Sequence, residues 1–482
     1  MDQSRAPVLE ALVAYHERGD LSFTPPGHKQ GRGVDPRVLA VLGEGVFRSD
    51  ILVTNGLDDR LMTGGVLEDA QQLMAEAVNA QQAFFSTCGS SLSVKSAMLS
   101  VAGPGEKLLV ARDAHKSVIS GLILSGVEPV WVHPRWDADL HFSYPPSPAA
   151  VEAAFKAEPD AKGVLVASPT DYGTCADLAG IKQVCVRHDR AFIVDEAWGA
   201  HLPFHPQNLP VWGMNAGADV CVTSVHKMGN GLEQGSVFHL QGDRVDPQVL
   251  KEREDLLGTT SPSTLLYAAM DGWRRQMVEQ GKELLDRAIG LAMSARTAIN
   301  QIGGLRVLDM ETCDAFELDP LKLVIDVSGL GADGYHAADW LRRRAHVNMA
   351  LSDHRRVSAQ ITVGDDMDTR NVLVESLRAM AGAGDLPTAA KVALPEPGEL
   401  ELETVMPPRD AFFGRTEQVP IEKAAGRVIA EMATPYPPGA PALTPGERIT
   451  PAVLRYLRTG LAAGMNIPDV YDPTLRTLRV VA

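Results

Sequence analysis

A chain of 482 residues is too long for one ordinary core, and a hydrophobic fraction of 45% with a net charge of -16 describes a globular protein of two or three domains. The acidic balance argues against nucleic acid as a partner, because phosphate recognition needs a positive footprint, but it does not forbid a cationic substrate. No run reaches the roughly eighteen apolar residues of a membrane span, the start carries no apolar signal core, and five cysteines without a CxxC pair argue against a disulfide framework or a structural zinc; the reading is a cytoplasmic protein with reduced, buried thiols.

An amphipathic pattern predicts a short helix over residues 7–17, followed by FTPPGHKQGRG (23–33), whose prolines and glycines exclude regular structure. GVFRSDILVTNGLDD (45–59) has no clear periodicity. Leu67, Ala70, Leu73, Met74, Ala77 and Val78 predict a helix over 66–82. Strand and helix then alternate: strands at 83–87, 105–113, 127–134, 162–170 and 191–197, with helices at 89–102, 115–126, 147–159 (capped by Ser147) and 178–189. Two more strands follow at 218–227 and 235–242. Short apolar strands alternating with helices predict an α/β block with a mostly parallel sheet covered on both faces, reaching to about residue 315.

Residues 255–303 predict a long helix broken at Ser261-Pro262, and residues 321–364 alternate strand, helix, strand as a small α+β domain. Residues 385–412 read as a proline- and acid-rich passage, 421–432 and 451–464 as helices, and 436–449 as an ordered loop. The expected domains are an amino-terminal arm and helix (1–60), a cofactor-binding large domain (61–315), a small α+β domain (316–384) and a C-terminal domain (385–482).

The chemistry gathers around Ser224-Val225-His226-Lys227. A lone lysine is usually a solvated charge. Here small residues precede it and the glycines of MGNGLEQG follow, which permits close approach of a ligand. A lysine amine so placed condenses with the aldehyde of pyridoxal 5'-phosphate. Asp195 ends the run AFIVD. An acid at the carboxyl end of a parallel strand is either a turn acid or a group in the ligand crevice, where it would keep the cofactor's ring nitrogen protonated. Gly89-Ser90-Ser91 open a helix whose amides and hydroxyls suit a phosphate, with self-capping as the plainer reading; Ser224 is a further donor. His115, in ARDAHKSV, either caps the next helix or stacks on the cofactor ring. His226 flanks the lysine within reach of phosphate or carboxylate, and Glu196 reads as structural. His201 and His205 have a metal-like spacing, but Pro203 breaks the helix it would need, so no metal is expected.

The motifs TPPGHKQG (24–31), GLDD (56–59), GSS (89–91), AHKSVISGLILSG (114–126), SPTDYG (168–173), VDEAWGAH (194–201), SVHK (224–227) and YPPGAPALTPGERI (436–449) span nearly the whole chain. Together they resemble the Orn/Lys/Arg decarboxylase family in its short bacterial form, within the aspartate-aminotransferase-like superfamily. The resemblance implies fold type I: a large α/β domain with a mostly parallel seven-stranded sheet, plus smaller α+β C-terminal domains. It implies Lys227 as the Schiff-base lysine, Asp195 as the ring-nitrogen partner and His115 as the stacking imidazole. Gly89, Ser90, Ser91, Ser224 and His226 would surround the phosphate. Thr259 or Thr260 would reach the phosphate of a neighbouring subunit in a homodimer with shared sites, or in a larger assembly.

The implied reaction is α-decarboxylation of arginine, lysine or ornithine, arginine slightly preferred, to the polyamine-pathway amine and carbon dioxide, with His226 or Lys227 returning the proton. Asp58, Asp59, Asp171, Trp198, Asn348 and Glu447 are candidate pocket residues; Asp58, Asp59 and Glu447 are the candidate acids for the substrate's distal cation. Trp198 stands where many short members have histidine, Asp171 where many have tyrosine and Asn348 where many have glutamate. Arg60 follows Leu57-Asp58-Asp59 where the common pattern has leucine and histidine. Transamination or oxidative decarboxylation is the enzymatic alternative, and a cofactor-binding regulatory protein the non-enzymatic one.

Overall fold

A computed structural model describes every residue except 55, 56, 58–64, 400, 437 and 438. The chain packs as two compact units, Met1–Ser100 with Ile193–Leu285 and Val101–Phe192 with Asp286–Ala482. The principal strands are β1 (Gln82–Ser86), β2 (Lys107–Ala111), β3 (Glu128–Val132), β4 (Gly163–Ala167), β5 (Ala191–Asp195), β6 (Val220–Ser224) and β7 (Ser236–Leu240), joined in one sheet in the order β1-β7-β6-β5-β4-β2-β3. The sheet is mostly parallel, as the alternation predicts; β7 is the reversed strand, antiparallel to both β1 and β6. Every residue of β5 and β6 is buried, which is why both read as continuous apolar runs rather than alternating ones.

The first unit opens with helices α1 (Pro7–Arg18), α2 (Pro36–Leu42), α3 (Glu44–Ser49) and α4 (Val66–Ala77). Helix α4 stops short of the predicted residue 82, where Asn79 turns the chain at φ +57° into β1. Helix α5 (Ser90–Val101) follows β1. The long helical passage divides as expected around Ser261-Pro262, into Pro247–Leu257 and Thr264–Asn300.

In the second unit, α6 (Lys116–Ser125), α7 (Pro148–Ala157) and α8 (Leu178–His188) follow β2, precede β4 and follow β4. Their starts are capped by His115, Ser147 and Asp177. Ser147 Oγ accepts from Ala150 N at 3.2 Å, the cap expected of it. A four-stranded antiparallel sheet is built on Lys322–Asp326 and Arg356–Gln360, with the helix Gly334–Trp340 between them in sequence.

The predicted helix over 421–432 does not form. Thr416–Pro420 is a strand paired antiparallel with Thr477–Val481, a single 3-10 turn covers Ile421–Lys423, and Val428 and Ile429 bridge to Arg448 and Val480. Gly426 sits at φ +80°, a conformation that ends any helix there, and Ile421, Ala424 and Ile429 enter the core as bridge and turn residues. Their spacing suits either role.

None of the five cysteines is in a disulfide; Cys88 is half-buried and the other four are buried. Among the described residues no helix is long and apolar enough to cross a membrane.

Candidate active site

In the first unit, sheet register brings three strand ends level. β1 and β6 both run antiparallel to β7, and Ser86 and Ser224 both face Ser236, so their carboxyl ends lie on one edge. β5 runs parallel to β6 with Asp195 opposite Val222, on that same edge, where open α/β sheets bind their ligands. Asp195 is only 7% exposed, and its Oδ1 accepts from Ala197 N at 3.3 Å. Lys227 does not lie on the strand, as the reading of 218–227 had it. The ladder stops at Ser224, opposite the first residue of β7, and Val225–Met228 forms one helical turn, α9. The half-buried Lys227 places Nζ 4.4 Å from the Trp198 ring centroid, within cation-π range.

Gly89 precedes α5 at φ +76°, and Ser224 Oγ donates to Ser90 Oγ at 2.7 Å. A side chain at Gly89 would project its Cβ to 3.9 Å from Ser91 N, over the opening amides of α5. Ser91 is exposed at the same helix start. His226 donates from Nδ1 to Gly235 O at 3.3 Å, and burial lowers its pKa, which makes it a neutral imidazole with Nε2 as acceptor. Thr259 and Thr260 are exposed, and Thr259 Oγ1 accepts from Ser261 N at 3.1 Å.

Glu196, read as structural, is more unusual than that. It is fully buried, accepts from Gly213 N at 3.1 Å and meets Cys221 Sγ at 2.7 Å, while Oε1 has no hydrogen-bond partner. Burial raises its pKa well above the ordinary value of 4.5, and the neighbouring Asp195 charge pushes the same way. Asp195 therefore sits beside an acid that burial shifts toward its neutral form. A carboxyl kept neutral in the fold but ionised when unfolded takes away stability as pH rises past its unfolded pKa, by up to about 1.4 kcal/mol per pH unit. Glu196→Gln keeps the shape without the titration. It is expected to gain thermal stability relative to wild type from about pH 5 upward; melts at several pH values check this, and a pH-independent difference would count against it.

In the second unit, His115 is a cap: Ser117 N donates to its Nδ1 at 3.2 Å, with Ser117 Oγ at 2.9 Å. This leaves the ring proton on Nε2. Asp171 is half-buried in the turn after β4, and the next residue, Tyr172, donates to Asp353 Oδ2 at 2.8 Å. Asn348 is exposed. Glu447 is not poised for a substrate cation: its two oxygens meet Arg112 Nε at 3.0 Å and Nη2 at 2.9 Å, and its side chain is 1% exposed. Asp58, Asp59 and Arg60 lie outside the described residues. Sequence reasoning passed over Asp113, two residues before His115. Its Oδ1 is enclosed without a hydrogen-bond partner, and burial, reinforced by Asp171, pushes its pKa up to about 7. Its place at the end of an apolar strand, like that of Asp195, was the available signal.

The donor set suits a phosphate-bearing pyridine aldehyde: an amine on a helical turn, a sheltered carboxylate on the adjacent strand end, and hydroxyls beside a helix N-terminus left open by glycine. The sheet order is that of a fold type I enzyme, and the donor set fits the pyridoxal-phosphate class. The chain belongs to the Orn/Lys/Arg decarboxylase family: residues 6–369 match the profile of its major domain and residues 396–470 that of its C-terminal domain. It is 38% identical to an arginine decarboxylase of Bacillus anthracis, over 100% of this chain and 98% of that one. It is 39% identical to an arginine decarboxylase of Halalkalibacterium halodurans, over 99% and 98%. The constitutive lysine decarboxylase of Escherichia coli shares its fold with a TM-score of 0.81 at 22% identity, over 100% of this chain and 82% of that one. The protein is accordingly a decarboxylase of basic amino acids.

Proposed function

We propose that the substrate is arginine and that the cofactor is pyridoxal 5'-phosphate. The observation that carries arginine is the full-length identity of 38% and 39% to two proteins of that name. In this reading Lys227 holds the cofactor's aldehyde and Asp195 pairs with its ring nitrogen. Gly89, Ser90, Ser91 and Ser224 take the phosphate, His226 flanks the lysine with its one ring proton given to Gly235 O, and His115 lies against the ring. When bound, the cofactor supplies an electron-withdrawing ring that accepts the electron pair left when the α-carboxylate departs as carbon dioxide.

The chain's residues hold charge and move a proton. Asp195 is the readier anion of its strand end, because burial raises the pKa of Glu196. A proton must return to the α carbon. Neutral His226 has committed its Nδ1 proton to Gly235 O, so the Lys227 ammonium is the better donor. Trp198 covers that ammonium on one side. Asp171 and Asp113, with Asp58 and Asp59, are the acids proposed for the guanidinium, which favours a planar two-oxygen partner. Glu447 is withdrawn from that role by Arg112.

The proposed assembly is a homodimer in the cytoplasm, with Thr259 or Thr260 serving a neighbouring subunit's phosphate. Helices α2 and α3 bury no residue within the chain, and Val41 is 82% and Phe23 93% exposed, an apolar surface suited to a second copy. Five cysteines outside disulfides suit a reducing compartment.

One preparation tests the reading. Incubated separately with arginine, lysine, ornithine, aspartate and glutamate, it is expected to release carbon dioxide and amine in equal amounts, fastest from arginine. Keto acid in place of amine would reject decarboxylation, and faster turnover of lysine would reject the substrate. Sedimentation of the same sample is expected to give two chains per particle, weakened about tenfold or more by Val41→Asp; a wild-type monomer would defeat the dimer.

A further inference from the structure

We infer that the C-terminal segment carrying Gly439, Glu447 and Asp469 is a positioning element of the reaction site, holding the His115 ring at a fixed angle. The inference rests on the reading of His115 as a cofactor-facing imidazole and adds what sets its orientation. Two residues of the stretch after β2 are gripped separately. Arg112 gives two hydrogen bonds to Glu447 and a third to Pro441 O at 2.7 Å, with only 8% of its side chain exposed. Lys116 N donates to Gly439 O at 2.9 Å, and Lys116 Nζ pairs with Asp469 at 3.0 Å.

His115 lies between those two anchors. Its Nδ1 edge is fixed by Ser117. Its other edge faces Gly439, where a Cβ would stand 2.9 Å from His115 Cδ2 and 3.1 Å from Nε2. Gly439 also sits at φ +100°, so a larger residue is disfavoured by backbone and ring alike. Both edges of the imidazole are held, one by its own helix and one by a segment more than three hundred residues away, as the separation of 335 between Arg112 and Glu447 measures. Gly439 and Asp469 act through His115 and are positioning residues.

A double-mutant cycle on holoenzyme tests this, read on the visible circular dichroism of the bound cofactor without substrate and on arginine turnover. Gly439→Ala is expected to keep the cofactor's absorbance, lose at least half of its dichroism and lower kcat by about tenfold or more with KM changed less than about threefold. In a His115→Ala background the same substitution is expected to change neither signal by more than about twofold. Equal losses in both backgrounds would overturn the inference. Should Gly439→Ala fail to fold, Asp469→Asn runs the same cycle, since it keeps shape and removes the ion pair. If His115→Ala alone leaves dichroism and turnover unchanged, the cofactor-facing role of His115 falls, and this inference with it. If arginine is not turned over while the dichroism cycle behaves as stated, the substrate falls and the positioning role stands.

Discussion

Lys227→Ala is expected to purify folded, colourless and inactive. The amine is the group proposed to hold the cofactor covalently and to return the proton to the α carbon, so its removal takes away attachment and acid together. A positioned acid or base alone contributes roughly 10²–10⁴-fold, and the combined loss should exceed about 10³-fold. Folding should be nearly unaffected. Lys227 lies half-buried on a single helical turn, and its contact with the Trp198 ring, at 4.4 Å, is an interaction of about 0.5–2 kcal/mol. Lys227→Arg should fail as completely, because a guanidinium keeps the charge and the stacking on Trp198 but cannot condense with an aldehyde. Absorbance spectra and turnover of the two variants decide it. A yellow, active Lys227→Ala enzyme would remove the central assignment.

Asp195→Ala is expected to weaken cofactor binding and to reduce turnover even when the cofactor is saturating. Asp195 is buried on the strand end beside the strand that leads to Lys227, next to an acid whose pKa burial raises. It is thus the charge proposed to hold a proton on the ring nitrogen. A hydrogen bond to a charged group is a matter of about 1.5–3 kcal/mol, which corresponds to a roughly 10- to 150-fold rise in the cofactor's dissociation constant. The rate effect should be larger, on the order of 10²–10³-fold, because the charge is stabilised most where electrons arrive. Asp195→Asn separates the two: it keeps the shape and some cofactor affinity but cannot maintain the ring proton. A cofactor titration and kcat at saturation measure each part, and near-normal kcat in Asp195→Asn would reject the electrostatic role.

Much of the large sheet was legible because buried parallel strands write themselves as short apolar runs, and an acid or a lysine at the end of such a run stands out. Asp195 after AFIVD and Lys227 after the strand through Ser224 are of that kind. Local signals also located the caps, as Ser147 shows. What the chain hid depends on partners distant in sequence. Glu447 looked like a rim acid until Arg112 was seen to hold both of its oxygens. Residues 421–432 carried helical spacing, yet Ile429 is paired with Val480 and the turn is set by Gly426. Glu196 and Asp113 were hidden differently: the letters were visible, but their protonation is decided by burial and by a neighbouring carboxylate, which no spacing reports.

The bond between Arg112 and Glu447 also sets a clock. The two residues are 335 positions apart, so at roughly 5–20 residues per second a ribosome needs roughly 20–70 seconds to travel from one to the other. For that interval the nascent chain carries a guanidinium destined for burial without the carboxylate that neutralises it. The edge of the sheet that bears His115 is therefore among the last parts of the protein to be completed, although β2 is among the first strands to be made.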